Sequence, residues 1–148
     1  MNYKVEILEN IPLTVARMKM TIPDYSTDLG AMAVNTMRKE LTNKGVILLE
    51  PAYNFLETHD SKYRLEVIDI EVNVGVEDAG KDGDMIKFVT LPEIEKLIRI
   101  TANNFEDIHI GLAEWMHEHD YEADGNLRTI VHSGPEFIYD CPVKPAED

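Results

Sequence analysis

The chain has 148 residues, 44% hydrophobic and 28% charged, which suits one globular domain and excludes a mostly disordered protein. Asp and Glu outnumber Lys and Arg by 28 to 14, and the net charge of -14 argues against nucleic acid or an anionic membrane surface as a direct partner. The same electrostatic field favours the approach of an organic cation.

The cysteine content and the hydropathy pattern indicate a cytoplasmic protein. The single cysteine, Cys141, cannot form a disulfide within the chain, which is typical of a reducing compartment. No apolar stretch approaches the length of about 20 residues that a membrane-spanning helix needs. No charged-then-apolar leader precedes the first predicted strand. We therefore expect one cytoplasmic domain over residues 1–148.

The first half of the chain predicts two strands, a helix and two more strands. The strands are predicted over residues 3–8, 13–22, 46–57 and 63–74. The first two have the spacing of a short antiparallel pair. The helix lies between Pro23 and Gly45, and its apolar stripe is Leu29, Met32, Ala33, Met37 and Leu41. A polar, glycine-bearing segment over residues 77–84 follows as a loop between two halves.

The second half repeats this order. Its strands are predicted over residues 85–90, 94–101, 127–132 and 136–143. Asn103 or Asn104 caps a helix whose apolar face is Phe105, Ile108, Leu112, Trp115, Met116 and His119. Two local matches recur at a separation of 80 residues, namely the hydrophobic-Pro pairs that start at Ile11 and Leu91, and the aromatic residues Tyr25 and Phe105. These matches indicate a duplication.

The duplicated order predicts an α+β fold built from two β-β-α-β-β units, with halves at about residues 1–77 and 84–145. The expected sheet is antiparallel and has about eight strands, with two helices on one face. Because ligand pockets form preferentially where similar units meet, we also expect a pseudo-twofold ligand cleft.

Four strings spread over nearly the whole chain carry a family resemblance. They are residues 3–6 (YKVE), 50–55 (EPAYNF), 112–116 (LAEWM) and 141–143 (CPV). Together with the duplicated order, they resemble the bacterial GyrI-like small-molecule-binding family, which is related to effector-binding domains of AraC-type and MerR-type multidrug transcription regulators. The resemblance implies an aromatic pocket that contains a carboxylate and takes lipophilic or cationic compounds. The family commonly carries Thr-Glu-Ile in its last strand, and here Ile138 occupies the position of that glutamate.

The candidate ligand-binding side chains are aromatic and acidic: Tyr53, Phe55, Asp69, Glu71, Trp115, Glu136 and Tyr139. The resemblance supports Tyr53 and Trp115 best. Glu136 lies two residues before Ile138 and so faces the same side of a strand, and Asp69 occupies the equivalent place in the first half. Trp115 can instead be a core residue of an amphipathic helix, Tyr53 and Phe55 can be core residues, and each carboxylate can belong to a solvated sheet face.

The sequence supports neither a metal site nor a cofactor. His117 and His119 are two residues apart on a predicted helix and therefore point to different sides. Cys141 has no histidine near it in sequence, which favours a small buried hydrophobe over a nucleophile. No phosphate-binding loop, dinucleotide fingerprint or serine-hydrolase motif occurs. We assign no catalytic residue.

Three functions fit these features. The first is a stand-alone protein that senses or sequesters a drug-like, lipophilic and cationic molecule. The second is a hydrolase of strained electrophilic toxins of the cyclopropanoid type, in which Glu136 or Glu71 acts as general base beside Tyr139 or Tyr53. The third is an inhibitory interaction with a partner protein such as DNA gyrase, whose DNA an acidic surface can mimic. The pocket candidates favour the first.

Overall fold

The computed structural model describes residues 2–9, 13–22, 27–58, 68–91, 94 and 96–146. These ranges contain two helices, α1 (Thr27–Asn43) and α2 (Phe105–His119), and nine strands: β1 (Tyr3–Glu9), β2 (Leu13–Ile22), β3 (Asn54–Thr58), β4 (Ile68–Val76), β5 (Ile86–Leu91), β6 (Lys96–Ala102), β7 (Tyr121–Ala123), β8 (Arg128–Ile130) and β9 (Phe137–Pro145). The strands pair antiparallel, so the predicted α+β class is confirmed. Neither helix has the length and apolarity to cross a bilayer.

The chain divides into two compact units. Unit 1 comprises Met1–Ile11 and Glu93–Asp148, and unit 2 comprises Pro12–Pro92. In unit 1 the strand order is β1-β6-β9-β8, with β7 also paired to β9, and in unit 2 it is β3-β4-β2-β5. Each unit contains one helix. The order of elements along the chain agrees with the predicted duplication, and β7 is an addition that the sequence pattern did not predict.

The predicted pairing of the first two strands is wrong. β1 pairs with β6, from Tyr3 opposite Ala102 to Glu9 opposite Lys96. Both edges of β2 are occupied, one by β4 and the other by β5. The two sequence repeats therefore exchange their first strands. Consecutive strands usually lie side by side, which is why the sequence predicts a hairpin, but β2 has no edge left for β1.

Other differences concern strand ends. Of the strand predicted over residues 46–57, only β3 forms a ladder, and the earlier part contributes one isolated bridge between Leu48 and Val76. Pro51 has no amide hydrogen to donate, which disfavours a continuous ladder through this stretch. Residues 63–67, Tyr25 and the prolines of both hydrophobic-Pro pairs lie outside the described residues.

In unit 2, α1 covers one face of the sheet. The face is formed by side chains such as Leu56, Val72 and Val74, and it meets Val34, Met37 and Leu41 of the helix, all of them buried. A methyl group placed on Gly30 of α1 would overlap the Leu56 side chain, so the glycine permits close packing. Met32, predicted in the stripe, is 64% exposed because Val34 takes the core position instead. Gly45, at φ 82°, ends the helix as predicted.

In unit 1, α2 packs against β1, β6, β7 and β9. Asn104 caps the helix, since its Oδ1 accepts a hydrogen bond of 2.8 Å from the Asp107 amide. The core residues share complete or nearly complete burial: Ile98, Ile100, Ala102, Ile108, Leu112, Trp115, Tyr139, Cys141 and Val143. Gly111 lets the helix approach these strands, because an added methyl group would meet Ile100 and the Tyr3 ring.

Substitution of Gly111 by valine should therefore destabilise unit 1. The added methyl groups would overlap Ile100 and Tyr3, and overpacking of this kind costs about 1 to 3 kcal/mol. Urea unfolding should show a lower midpoint with an unchanged slope. Ala113→Val on the exposed side of α2 is the matched control and should lose less than about 0.7 kcal/mol. Equal losses in the two variants would show that α2 does not pack closely at Gly111.

Candidate functional site

Two of the predicted carboxylates, Asp69 and Glu71, lie together on unit 2. Along β4 they alternate with the buried residues Ile70 and Val72, so they occupy the face opposite α1. This face, which we call the polar face, includes the side chains of Arg17, Lys19, Thr21, Phe55, Glu57, Asp69, Glu71, Asn73 and Lys87. The sequence pattern thus predicted correctly that β4 has one apolar and one polar side.

A cleft of about 370 Å³ opens at one end of the polar face. It is lined by Lys19, Met20, Thr21, Asp69, Ile70 and Glu71. The Thr21 hydroxyl donates a hydrogen bond of 2.7 Å to Asp69 Oδ1. This volume lies within the range of small-molecule sites, and the hydrogen bond orients one carboxylate at its wall.

The second carboxylate is held by an ion pair. Arg17 Nε lies 2.8 Å from Glu71 Oε2 and donates a hydrogen bond of 2.7 Å to Asn73 Oδ1. Asn73 is fully buried, and its amide group donates to the backbone oxygens of Phe55 and Glu71. Side-chain exposures of 19% for Arg17 and 13% for Glu71 place the pair away from bulk water. Glu71 is therefore a fixed charge.

Aromatic rings lie on the same face. The ring centroids of Tyr53 and Phe55 are 5.2 Å apart, and Phe55 is fully buried while Tyr53 is half-buried. Glu57 follows two residues later, lies directly opposite Glu71 in the β3–β4 register and is 9% exposed. The sequence analysis did not select Glu57, although a residue two positions after Phe55 in a strand faces the same side. Glu57 adds a third carboxylate to the polar face.

Trp115 and Tyr139 occupy a different environment. Both belong to the core of unit 1 between α2 and its sheet, with exposures of 8% and 7%. The indole stacks on His119 at 4.4 Å and lies 5.3 Å from the Tyr121 ring. Burial raises the pKa of Tyr139. The placement of Trp115 agrees with the alternative that it is a core residue, and Tyr139, predicted as a ligand-binding residue, lies in the same core.

The third predicted carboxylate, Glu136, is exposed in the turn before β9. Its backbone oxygen accepts a hydrogen bond of 2.6 Å from His132 Nε2. Asp140, which the sequence analysis did not select, is fully buried and makes two hydrogen bonds with Arg99, of 2.7 and 2.9 Å. Asp140 lies two residues after Ile138, so the sequence already indicated that both side chains face the same side of β9.

The strand registers show how the two units correspond. Thr21 faces Asp69 in unit 2, and Thr101 faces Ile138 in unit 1. Likewise Lys19 faces Glu71, and Arg99 faces Asp140. Asp69 and Ile138 are thus equivalent positions, as the sequence predicted. Both units keep the basic-acidic pair of neighbours, but only unit 2 has a carboxylate at the position of Asp69.

The described residues contain no group of three His, Cys, Asp or Glu side chains arranged to hold a metal ion. His119 Nδ1 is within 2.9 Å of the Trp115 backbone oxygen, a contact within the helix. Cys141 is 4% exposed and belongs to the apolar core of unit 1.

No protein-family model matches the chain, and no curated protein matches it by sequence. Solved structures match its fold. The EcmrR C-terminal domain aligns over 99% of this chain and 100% of that chain, with a TM-score of 0.80 and 22% identity. In the EcmrR-DNA complex the alignment covers 99% of this chain and 59% of that chain, with a TM-score of 0.81 and 22% identity, so this chain spans about three fifths of that EcmrR chain.

Two further structures are similar over most of the chain. A hydrolase from Listeria innocua aligns over 95% of this chain and 92% of its own, with a TM-score of 0.61 and 13% identity. SAV2435 bound to tetraphenylphosphonium aligns over 97% of this chain and 94% of its own, with a TM-score of 0.50 and 14% identity. These likenesses confirm the GyrI-like fold that the sequence predicted.

The buried environment of Cys141 predicts a thiol that reacts slowly with labelling reagents. Burial raises its pKa to about 11, and the neighbouring Asp140 carboxylate adds to the shift. Because the thiolate is the reactive form, labelling by an aromatic disulfide near pH 8 should be on the order of a hundredfold slower in folded than in urea-unfolded protein. The protonated thiol also favours the folded state below about pH 8.5, a contribution that is lost as the pH rises toward 11.

The control for this experiment is Cys141→Ser, which should show no labelling in either state. Equal labelling rates for folded and unfolded protein would contradict the buried position of Cys141.

Proposed function

We propose that this chain, with its GyrI-like fold, binds a small lipophilic cation at the polar face of unit 2. The observation that carries the proposal is the cleft of about 370 Å³ whose walls include Asp69 and Glu71. Asp69 is the primary anionic contact, with the ion-paired Glu71 beside it. Tyr53 and Phe55 do not line the cleft but lie farther along the same face, where we propose that a ligand extending beyond the cleft reaches Tyr53. The function is that of a sensor or a sequestering module.

The electrostatics of the whole chain favour a cation. The polar face by itself is balanced, with three carboxylates, Glu57, Asp69 and Glu71, and three basic groups, Arg17, Lys19 and Lys87. The whole chain adds a net charge of -14, which raises the local concentration of cations and lowers that of anions. Arg17 pairs with Glu71, and Asp69 lines the cleft with its Oδ1 oriented by the Thr21 hydroxyl, so we propose Asp69 as the contact for the ligand charge.

The aromatic pair adds affinity for a lipophilic cation. A cation over a tyrosine or phenylalanine ring gains about 0.5 to 2 kcal/mol, more when water is excluded. Tyr53 is half-buried and lies against Phe55, so its ring is the part of the pair that a ligand can reach. Trp115 lies in the core of unit 1, so a ligand on unit 2 is better followed by calorimetry than by indole fluorescence.

The structural neighbours support small-molecule binding as the general function. SAV2435 is bound to tetraphenylphosphonium, a lipophilic cation. EcmrR occurs with DNA, and this chain aligns with the whole of its C-terminal domain. We propose by this analogy that the chain serves a cytoplasmic regulatory or protective system as its ligand-binding component, with no nucleic acid bound directly.

Removal of the Asp69 charge should weaken cation binding. We expect Asp69→Asn to raise the Kd for tetraphenylphosphonium about fivefold in isothermal titration calorimetry, since one nearby charge is worth about 1 kcal/mol at a partly exposed site. Asparagine keeps the shape of the side chain and can still accept the hydrogen bond from Thr21.

Two carboxylates on unit 1 provide comparisons with the same change in net charge. Glu118→Gln, on the exposed side of α2, is the matched control and should leave the Kd unchanged. Glu136→Gln tests the alternative carboxylate. A larger rise in the Kd for Glu136→Gln than for Asp69→Asn would show that the ligand binds at Glu136 of unit 1. Absence of binding across chemically diverse cations would refute the proposed function.

The second candidate function is hydrolysis of a strained electrophile. It is supported by the similar fold of a hydrolase from Listeria innocua. In unit 2 the available groups are Glu71 as general base and Tyr53 as hydroxyl donor. Glu71 is held in an ion pair with Arg17, an arrangement that suits a positioned anion better than a general base. Product formation that is lost in Glu71→Gln and kept in Glu118→Gln would establish hydrolysis.

A further inference from the structure

Unit 2 contains a second cavity on the other side of its sheet. It has a volume of about 310 Å³ and lies where α1 ends, beside the segment that joins β4 to β5. Its lining combines apolar side chains, three glycines and three charged groups: Leu41, Lys44, Gly45, Val46, Ile47, Asp78, Ala79, Gly80, Lys81, Gly83, Ile86 and Phe88. It shares no residue with the cleft at Asp69 and Glu71.

The position of the cavity follows from strand parity. Lys87 faces Arg17 in the β2–β5 register and belongs to the polar face, so Ile86 and Phe88 point to the side that α1 covers. Leu41, in the last turns of α1, is 2% exposed and contributes the apolar floor. The cavity is therefore the open end of the core between α1 and β5.

The backbone around the cavity is fixed by hydrogen bonds. The Phe88 amide donates 2.9 Å to Asp82 Oδ1, and Lys87 Nζ donates 2.7 Å to the Gly83 oxygen. The Glu77 amide donates 2.9 Å to the Ile47 oxygen. These bonds tie the β4–β5 segment to β5 and to the stretch after α1. The positions of the cavity walls are therefore fixed by these hydrogen bonds.

Gly80 lets its segment pack closely against the cavity lining. A methyl group at this position would lie 2.8 Å from the Phe88 ring and 3.2 Å from the Val46 side chain. Any residue other than glycine would therefore displace these two lining side chains and change the shape of the cavity. The volume that this packing leaves is at the lower end of the range for ligand sites.

The charged groups of the lining suit an anion. Lys44 and Lys81 contribute two ammonium groups against the single carboxylate of Asp78, in a protein of net charge -14. Lys44 also contacts Glu40 at 3.1 Å, so Lys81 is the main candidate for a ligand charge. Salt at physiological strength screens more distant carboxylates beyond about 8 Å, so contacts at the rim dominate.

We propose that this cavity binds a small amphipathic carboxylate. Its apolar chain packs against Phe88, Val46 and Leu41, and its carboxylate meets Lys81 at the rim. The site is independent of the cation site, so the two ligand classes bind opposite sides of the same sheet. A medium-chain fatty acid matches both the size and the chemistry of the lining.

The test uses decanoate and decyltrimethylammonium, which share an apolar chain and carry opposite charges. Both are titrated below micelle formation into 15N-labelled full-length protein, and amide shifts are followed by NMR. We expect saturable shifts of Gly80 and Phe88 with decanoate, and at least about tenfold weaker binding of the cation as measured at these two amides, whatever shifts the cation causes near Asp69. Equal affinity of the two compounds at Gly80 and Phe88, or decanoate shifts that centre elsewhere in the chain, would overturn the proposal.

Variants test the two parts of the site separately. Lys81→Gln should raise the Kd for decanoate about fivefold, while Lys39→Gln, an exposed lysine of α1 outside the lining, should leave it unchanged. Gly80→Val should abolish the decanoate shifts at Phe88, because the valine side chain would displace Phe88 and Val46. Retained amide dispersion outside the cavity would show that Gly80→Val still folds. Undiminished decanoate binding in both Lys81→Gln and folded Gly80→Val would refute the site.

Discussion

The antiparallel register between β2 and β4 decides which side chains share a face of unit 2. It places Arg17 opposite Asn73, Lys19 opposite Glu71 and Thr21 opposite Asp69. The intervening residues of β4 are buried on the side of α1. A slip of one residue would turn valines toward the polar face and carboxylates toward the helix. Burial of the apolar side thus fixes the arrangement of charges on the other.

Unit 1 repeats this register with a different balance of charge. Arg99 and Asp140 occupy the places of Lys19 and Glu71, so a basic residue faces an acidic one in both units. Two residues farther along β2 and β6, toward the helix that follows each strand, Thr21 faces Asp69 in unit 2 and Thr101 faces Ile138 in unit 1. The two units thus share the strand register, but only unit 2 has a carboxylate at this position, and it lines a cleft.

The sheet of unit 2 separates two environments that differ in chemistry. Its polar face has hydrogen-bonded carboxylates beside aromatic rings. Its other face is covered by α1 except where the helix ends at Gly45, and there a cavity with lysines at its rim remains. Since side chains alternate along a strand, one short sheet can present both environments without either disturbing the other.

Local patterns determined much of this structure. The amide-capping Asn104, the helix-ending Gly45 and the alternation of β4 act through neighbours in sequence, and each was readable directly from the chain. For the same reason the sequence placed Asp69 and Glu71 on one polar side.

Only the tertiary structure decided which strands pair and what each face meets. The hydrogen-bonding edge of a strand accepts any antiparallel partner, so nothing local to β1 specifies β6 in place of β2. An apolar helix stripe shows that Trp115 is covered, but not whether protein or ligand covers it. Glu57 became a site residue only through its register with Glu71. These choices depend on contacts between residues far apart in the chain.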